Sequence, residues 1–144
     1  VSNNVGVGYQ ALYSTTASNL TALGYQALYS NSSGTGNTAI GYQAMDALTT
    51  GFNNTALGYT TLGSVTGNNN TALGANAGTT LTSGSNNIVI GAGIEAQSAT
   101  ASNQLNIGNW IYGNAGNIGI GVLNPTEKFA VAGTGSFYGI KIGS

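Results

Sequence analysis

A glycine returns every 16 or 17 residues through most of this chain of 144, at Gly8, Gly24, Gly41, Gly58, Gly74, Gly91 and Gly108, with a last step of 13 residues to Gly121. So short and regular a period does not suit a fold with one closed core. It means one structural unit stacked on itself, each copy covering the apolar face of the next. The residues before each glycine define the unit. One position before it stands Val7, Leu23, Ile40, Leu57, Leu73, Ile90, Ile107 or Ile120. Two before, the residue is mostly tiny: Gly6, Ala22, Ala39, Ala56, Ala72. Three before come Val5, Thr21, Thr38, Thr55, Thr71, Ile88, Leu105 and Ile118, and four before it is usually Asn.

Alternation over four residues with many β-branched side chains reads as a short strand. Period 2 puts the first and third positions on one face, which we expect to look into the coil with its aliphatic side chains. The small Ala face is then the outer one, where a neighbouring backbone could approach. After the glycine a second segment, clearest as Tyr25-Gln26-Ala27-Leu28 and Tyr42-Gln43-Ala44-Met45, reads as a second strand, with the glycine supplying the bend. Loops rich in Asn, Ser and Gly close each turn. The fold class expected is all-β: a parallel β-solenoid or β-roll of about eight coils over residues 1–121, with a β transition or cap element over 122–144. In that last piece Pro125 ends the solenoid strand, and Phe129–Val131 and Phe137–Ile142 read as two further strands. The chain enters at Val1 partway through a repeat, so more coils are expected upstream.

Composition narrows the function. Charged residues make up 3% of the chain, against about 25% in ordinary soluble domains. With a net charge of −1 the chain offers no basic patch for nucleic acid. No apolar run is long enough for a membrane-spanning helix. There is no cysteine and no histidine, and Asp46, Glu95 and Glu127 are far apart in the repeat, so neither a nucleophile–base pair nor a carboxylate pair is expected. We expect no enzyme activity, no cofactor and no metal. A rung of 17 residues buries too few aliphatic side chains to offset its chain entropy. Self-association is the remaining source of stability.

The pattern Asn-Thr-Ala-Ile-Gly at Asn37–Gly41, with Asn-Thr-Ala-Leu-Gly at Asn54–Gly58 and Asn70–Gly74 and Asn-Ile-Val-Ile-Gly at Asn87–Gly91, resembles the head repeat of YadA-like trimeric adhesins. The stretch Ala22–Ser30 is similar to repeats of bacteriophage tail fibres, as is Gly119–Val131 with its Asn-Pro and Glu-Lys pairs. The resemblance implies a β-roll that associates as a homotrimer on a virion tail fibre or another extracellular surface. It implies a role in attachment to a host cell, with a surface glycan or receptor as partner. A bacterial adhesin head is the alternative within that class, and an ice-binding solenoid the alternative outside it.

Two groups stand out as candidate contacts. Tyr9, Tyr25, Tyr42 and Tyr59 recur at one rung position, followed by Gln10, Gln26 and Gln43 at the next. They suit either a sugar-binding strip or a self-stacking ladder; the regular column favours the ladder. Trp110 and Tyr112 lie where the repeat degrades and suit either an exposed binding spot or, by preference, a plug for the end of the rod. The Asn column, with Asn37, Asn54, Asn70 and Asn87, is expected to form amide ladders and to satisfy loop backbone. The Thr column raises ice binding, but by parity those side chains would share the inward face.

Overall fold

A computed structural model describes residues 2–133. Among these residues there is no helix, and a single sheet takes ten strands in chain order. Seven lie parallel: β1 (Val5–Val7), β2 (Thr21–Leu23), β3 (Thr38–Ile40), β4 (Thr55–Leu57), β5 (Thr71–Leu73), β6 (Ile88–Ile90) and β7 (Gln104–Ile107). Equivalent residues pair throughout, as in Thr38↔Thr55, Ala39↔Ala56 and Ile40↔Leu57. The chain is a β-solenoid of about six turns.

The eight expected coils are therefore too many. After β7 the chain does not make another turn of the solenoid. It reverses through β8 (Ile111–Asn114) and β9 (Asn117–Ile120), both antiparallel to their predecessors. Antiparallel neighbours need only a tight connection, whereas a parallel rung needs a long crossover. That is why the last glycine step shortens. Gly108 and Asn109 at one reversal, and Ala115 and Gly116 at the other, all have positive φ, as primed hairpin turns require. The short β10 (Phe129–Val131) then pairs parallel with β9. The expected strand Phe137–Ile142 lies outside the described residues.

The inside and the outside of the coil are exchanged relative to expectation. Ala22, Ala39, Ala56 and Ala72 are fully buried, while Leu23 and Leu57 are each 46% exposed. The reason lies in the second segment, which is no extended strand. Every second residue there is left-handed: Gln26 and Leu28, Gln43 and Met45, Thr60 and Leu62 have φ between 47° and 53°. Each such position costs roughly 1–2 kcal/mol. The alternation lets two adjacent side chains, Ala27 and Leu28 or Ala44 and Met45, both point inward, which a period-2 strand forbids. The large residues Leu28, Met45 and Leu62 thus fill the coil from this side, and the β strands opposite can contribute only a methyl group. At Gly6 even an added Cβ would come within 3.2 Å of Leu12 Cδ1.

A buried amide ladder ties the turns together. The Asn37 Oδ1 accepts the backbone N–H of Asn54 at 2.8 Å, Asn54 that of Asn70 at 2.9 Å, Asn70 that of Asn87 at 3.0 Å, and Asn87 that of Gln104 at 2.8 Å. Each Nδ2 meanwhile donates to a loop carbonyl of its own turn: Gly51, Gly67, Gly84 and Ala101 in the same order. Those loop glycines are close-packed. A Cβ on Gly67 would lie 1.9 Å from the carbonyl oxygen of Gly84.

One turn solves the same problem with its residues exchanged. It has Leu20 where the others have Asn, and Asn31 where the next three have Leu48, Val65 and Leu81. All of these side chains are buried. Asn31 Nδ2 donates to the Gly34 carbonyl at 2.7 Å, and Asn31 Oδ1 accepts the Gly34 N–H at 2.9 Å. One amide per turn still serves the loop glycine, from the other wall. Asn31→Leu alone should cost about 1–3 kcal/mol by stranding the Gly34 backbone groups. Adding Leu20→Asn should recover most of that loss, a positive coupling that denaturant unfolding of the four-variant cycle will measure.

Candidate interaction surface

Two outward faces carry the groups that could meet a partner. The first is the outer side of the parallel sheet. Because the strands turn Ala inward, they present Thr21, Thr38, Thr55 and Thr71 in one half-buried column beside the aliphatic column that includes Leu23, Ile40, Leu57 and Leu73. Toward the later strands the Thr column itself becomes apolar at Ile88, Leu105 and Ile118. No charged side chain lies in either column over β1–β9. Gly113 pairs between Leu105 and Ile118, and the face dips there into a shallow hollow of about 320 Å³ bordered by Ile88, Leu105 and Ile118.

The second face follows the six elbow glycines Gly8, Gly24, Gly41, Gly58, Gly74 and Gly91. These share φ values of 128° to 145°. The positive φ and the close approach both demand glycine: a Cβ on Gly41 would sit 2.2 Å from the Gly58 carbonyl oxygen. Gly108, with a φ of 59°, belongs to the first reversal, and Gly121, with a φ of 69°, follows β9; neither is an elbow glycine. The elbow throws the next side chain outward, and the rung spacing stacks the copies. Ring centroids of Tyr9–Tyr25, Tyr25–Tyr42 and Tyr42–Tyr59 are 5.4, 5.0 and 5.1 Å apart, with interplanar angles of 9–15°. Tyr13 and Tyr29 stack likewise at 5.1 Å. Beside the main column, Gln26 Nε2 donates to Gln10 Oε1 and Gln43 Nε2 to Gln26 Oε1, both at 2.9 Å. Each ring pair contributes about 0.5–1.5 kcal/mol beyond burial.

The self-stacking expectation for the tyrosines therefore describes what these rings do, and it limits what they can bind. Rings inside the column cover one another's faces. Trp110, expected by preference as a plug, is 76% exposed at the first reversal. Tyr112 lies half-buried in β8, opposite Asn106 and Gly119. What sequence reasoning missed is the outer sheet face. Its signal was the pairing of tiny residues at one strand position with Leu or Met four residues after the glycine, which together specify a narrow interior.

Among the described residues the few charges do not converge. Glu95 accepts from the Thr79 hydroxyl and from the Thr80 N–H and hydroxyl, at 3.0 and 2.9 Å for Thr80. Among the described residues no three of His, Cys, Asp and Glu are grouped as metal ligands. Among the described residues no helix is long and apolar enough to cross a membrane. Asp46 takes the column position of Tyr13 and Tyr29 one turn further on, and burial pushes its carboxyl above the ordinary value, against a lesser lowering by backbone hydrogen bonds at Ala47 and Asp46. Comparison with protein-family models, curated proteins and solved structures gives no match for this chain.

The sign of the Asp46 effect is fixed by linkage. A carboxyl whose folded pKa is raised binds its proton more tightly folded than unfolded, so stability falls as pH rises from the ordinary carboxylate value through the raised one. Unfolding midpoints should decline across that window, and Asp46→Asn should flatten the decline and raise the midpoint at neutral pH.

Proposed function

We propose that this chain is a segment of an extracellular fibre that serves attachment to a host cell surface, and that it works as a homotrimer. A bacteriophage tail fibre is the setting that the resemblance of Ala22–Ser30 and Gly119–Val131 favours; a bacterial adhesin head is the alternative. The observation that carries the reading is the charge-free outer face of the sheet, where Val5 and Val7 are 56% and 55% exposed, Leu23 and Leu57 46%, and Ile88 43%. Soluble monomers seldom leave a continuous apolar face of this kind in water. The partner surface is this face and not the alanine column, which is interior. Copies packed through it would leave the tyrosine and glutamine ladders outward, repeated around the fibre. Multivalent display of a weak site raises avidity without new contacts.

The outward Thr column favours a second reading. Thr21, Thr38, Thr55 and Thr71 stand in register beside aliphatic side chains on a regular sheet, and such an array suits an ice surface. It needs the same face free, so the two readings exclude each other.

Native mass decides between them. The fibre reading expects three chains, with Leu23→Gln together with Leu57→Gln reducing the mass toward one chain while the far-ultraviolet spectrum is kept. A stable monomer that depresses the freezing point non-colligatively would replace it with the ice-binding reading.

A further inference from the structure

We propose that the lower end of the tyrosine ladder, below Tyr59, is a stacking shelf for one pyranose ring of a neutral glycan. This deepens the attachment reading and rests on it. The ladder stops abruptly. At the position of Tyr59 the next turn has Ala75 and the one after it Ala92. The Asn76 N–H donates to the Tyr59 carbonyl at 2.7 Å, and the Gly93 N–H to that of Ala75 at 2.8 Å, so these residues hold the same rung position in successive turns. The neighbouring column shrinks one turn earlier, from Gln43 to Thr60, and is continued by Asn76 and Gly93. Ala75, Asn76, Ala92 and Gly93 are all exposed.

Exposure of the rings reports the consequence. Tyr25 and Tyr42, covered above and below, are 39% and 42% exposed, while Tyr59 is 53% exposed. Its upper face lies on Tyr42, and its lower face looks into the slot that a fifth ring would take. That slot is at least one rung deep, the depth over which the rings above stack at 5.0–5.4 Å, because the next two turns carry only Ala75 and Ala92 at this position. An aromatic face suits the C–H-bearing face of a sugar, and the groups at the rim suit its hydroxyls. The Thr60 hydroxyl donates to Asn76 Oδ1, which leaves the Asn76 amide hydrogens for a ligand. The slot is flanked by hydroxyl, amide and methyl groups, and Glu95 is held by Thr79 and Thr80. The residues at the bordering rung positions, Thr60, Ala75, Asn76, Ala92 and Gly93, carry no charge, and the ligand class is a neutral sugar.

The test is nuclear magnetic resonance titration of the full chain with cellotriose, maltotriose and chitotriose as probes. The shelf predicts saturable shifts of the Tyr59 ring and the Asn76 side-chain amide with at least one probe, and none at Tyr25. Ala75→Tyr extends the ladder into the slot. It should weaken the binding read at the Asn76 side-chain amide at least tenfold while raising the melting temperature, and Tyr59→Ala should abolish the Asn76 response by removing the face above it. Absence of saturable shifts at Tyr59 with all three probes, shifts centred on Tyr9 or Trp110, or saturable shifts at Tyr59 that survive Ala75→Tyr would each overturn the proposal. Native mass separates this from the parent reading: a trimer without sugar-dependent shifts keeps the fibre and loses the shelf, and a monomer that binds sugar at Tyr59 does the reverse.

Discussion

Every turn of this chain must take the hydrogen bonds of the turn above and offer its own to the turn below, about 4.8 Å away. That spacing governs the rest of the structure. It brings elbow and loop carbonyls so close to the next turn that only glycine fits beneath them, as Gly41 and Gly67 illustrate. It sets the buried asparagines at the one distance where a side-chain amide can serve the backbone of the next turn and the loop of its own. It places tyrosine rings at stacking distance with no further adjustment of the backbone. The ladders do not create the stack; they are the side chains that gain from being repeated at that distance.

The same spacing accounts for the near absence of charge. A charged residue kept at one rung position would meet its own copy about 5 Å away, at a cost of roughly 1–3 kcal/mol per step depending on local dielectric. Amides, hydroxyls and aromatic rings carry no such penalty and can pair with themselves. The acidic groups that do occur appear once per column. Asp46 follows Tyr29 where a column of rings ends, and Glu95 lies beneath the hydroxyls of Thr79 and Thr80. Neutrality in turn makes an outward aliphatic face tolerable only if something covers it, which links the backbone spacing to the proposed assembly.

The repeat, its strands, the closing glycines and the two ladders were all legible in the sequence, because each depends only on what recurs at one rung position. Three features were not. The face of the strand was misread because period 2 assigns residues to two faces without saying which is inside. Here Leu28, Met45 and Leu62, on the opposite wall, take the interior and leave room only for Ala39, Ala56 and Ala72. The second segment was misread because left-handed positions at Gln43, Met45 and Thr60 are not favoured by their own side chains; the stack imposes them. The hairpin Ile111–Asn114/Asn117–Ile120 was absorbed into the repeat because its aliphatic residues and glycine match the pattern. Only the short step and Gly116 in its turn distinguish it. The proposed stacking shelf depends on what fails to recur, Ala75 where a fifth tyrosine would stand.

The direction in which the strands face decides which surface is available to a partner, and methyl–methyl nuclear Overhauser effects read it directly, whatever the oligomeric state. The account predicts a strong effect between the Ala56 methyl and the Leu62 methyls within one turn, and none between Leu57 and Leu62. Strong effects from Leu57 to Leu62, with the Ala56 methyl free of the interior, would contradict it. They would return the aliphatic column to the core and remove the proposed interface.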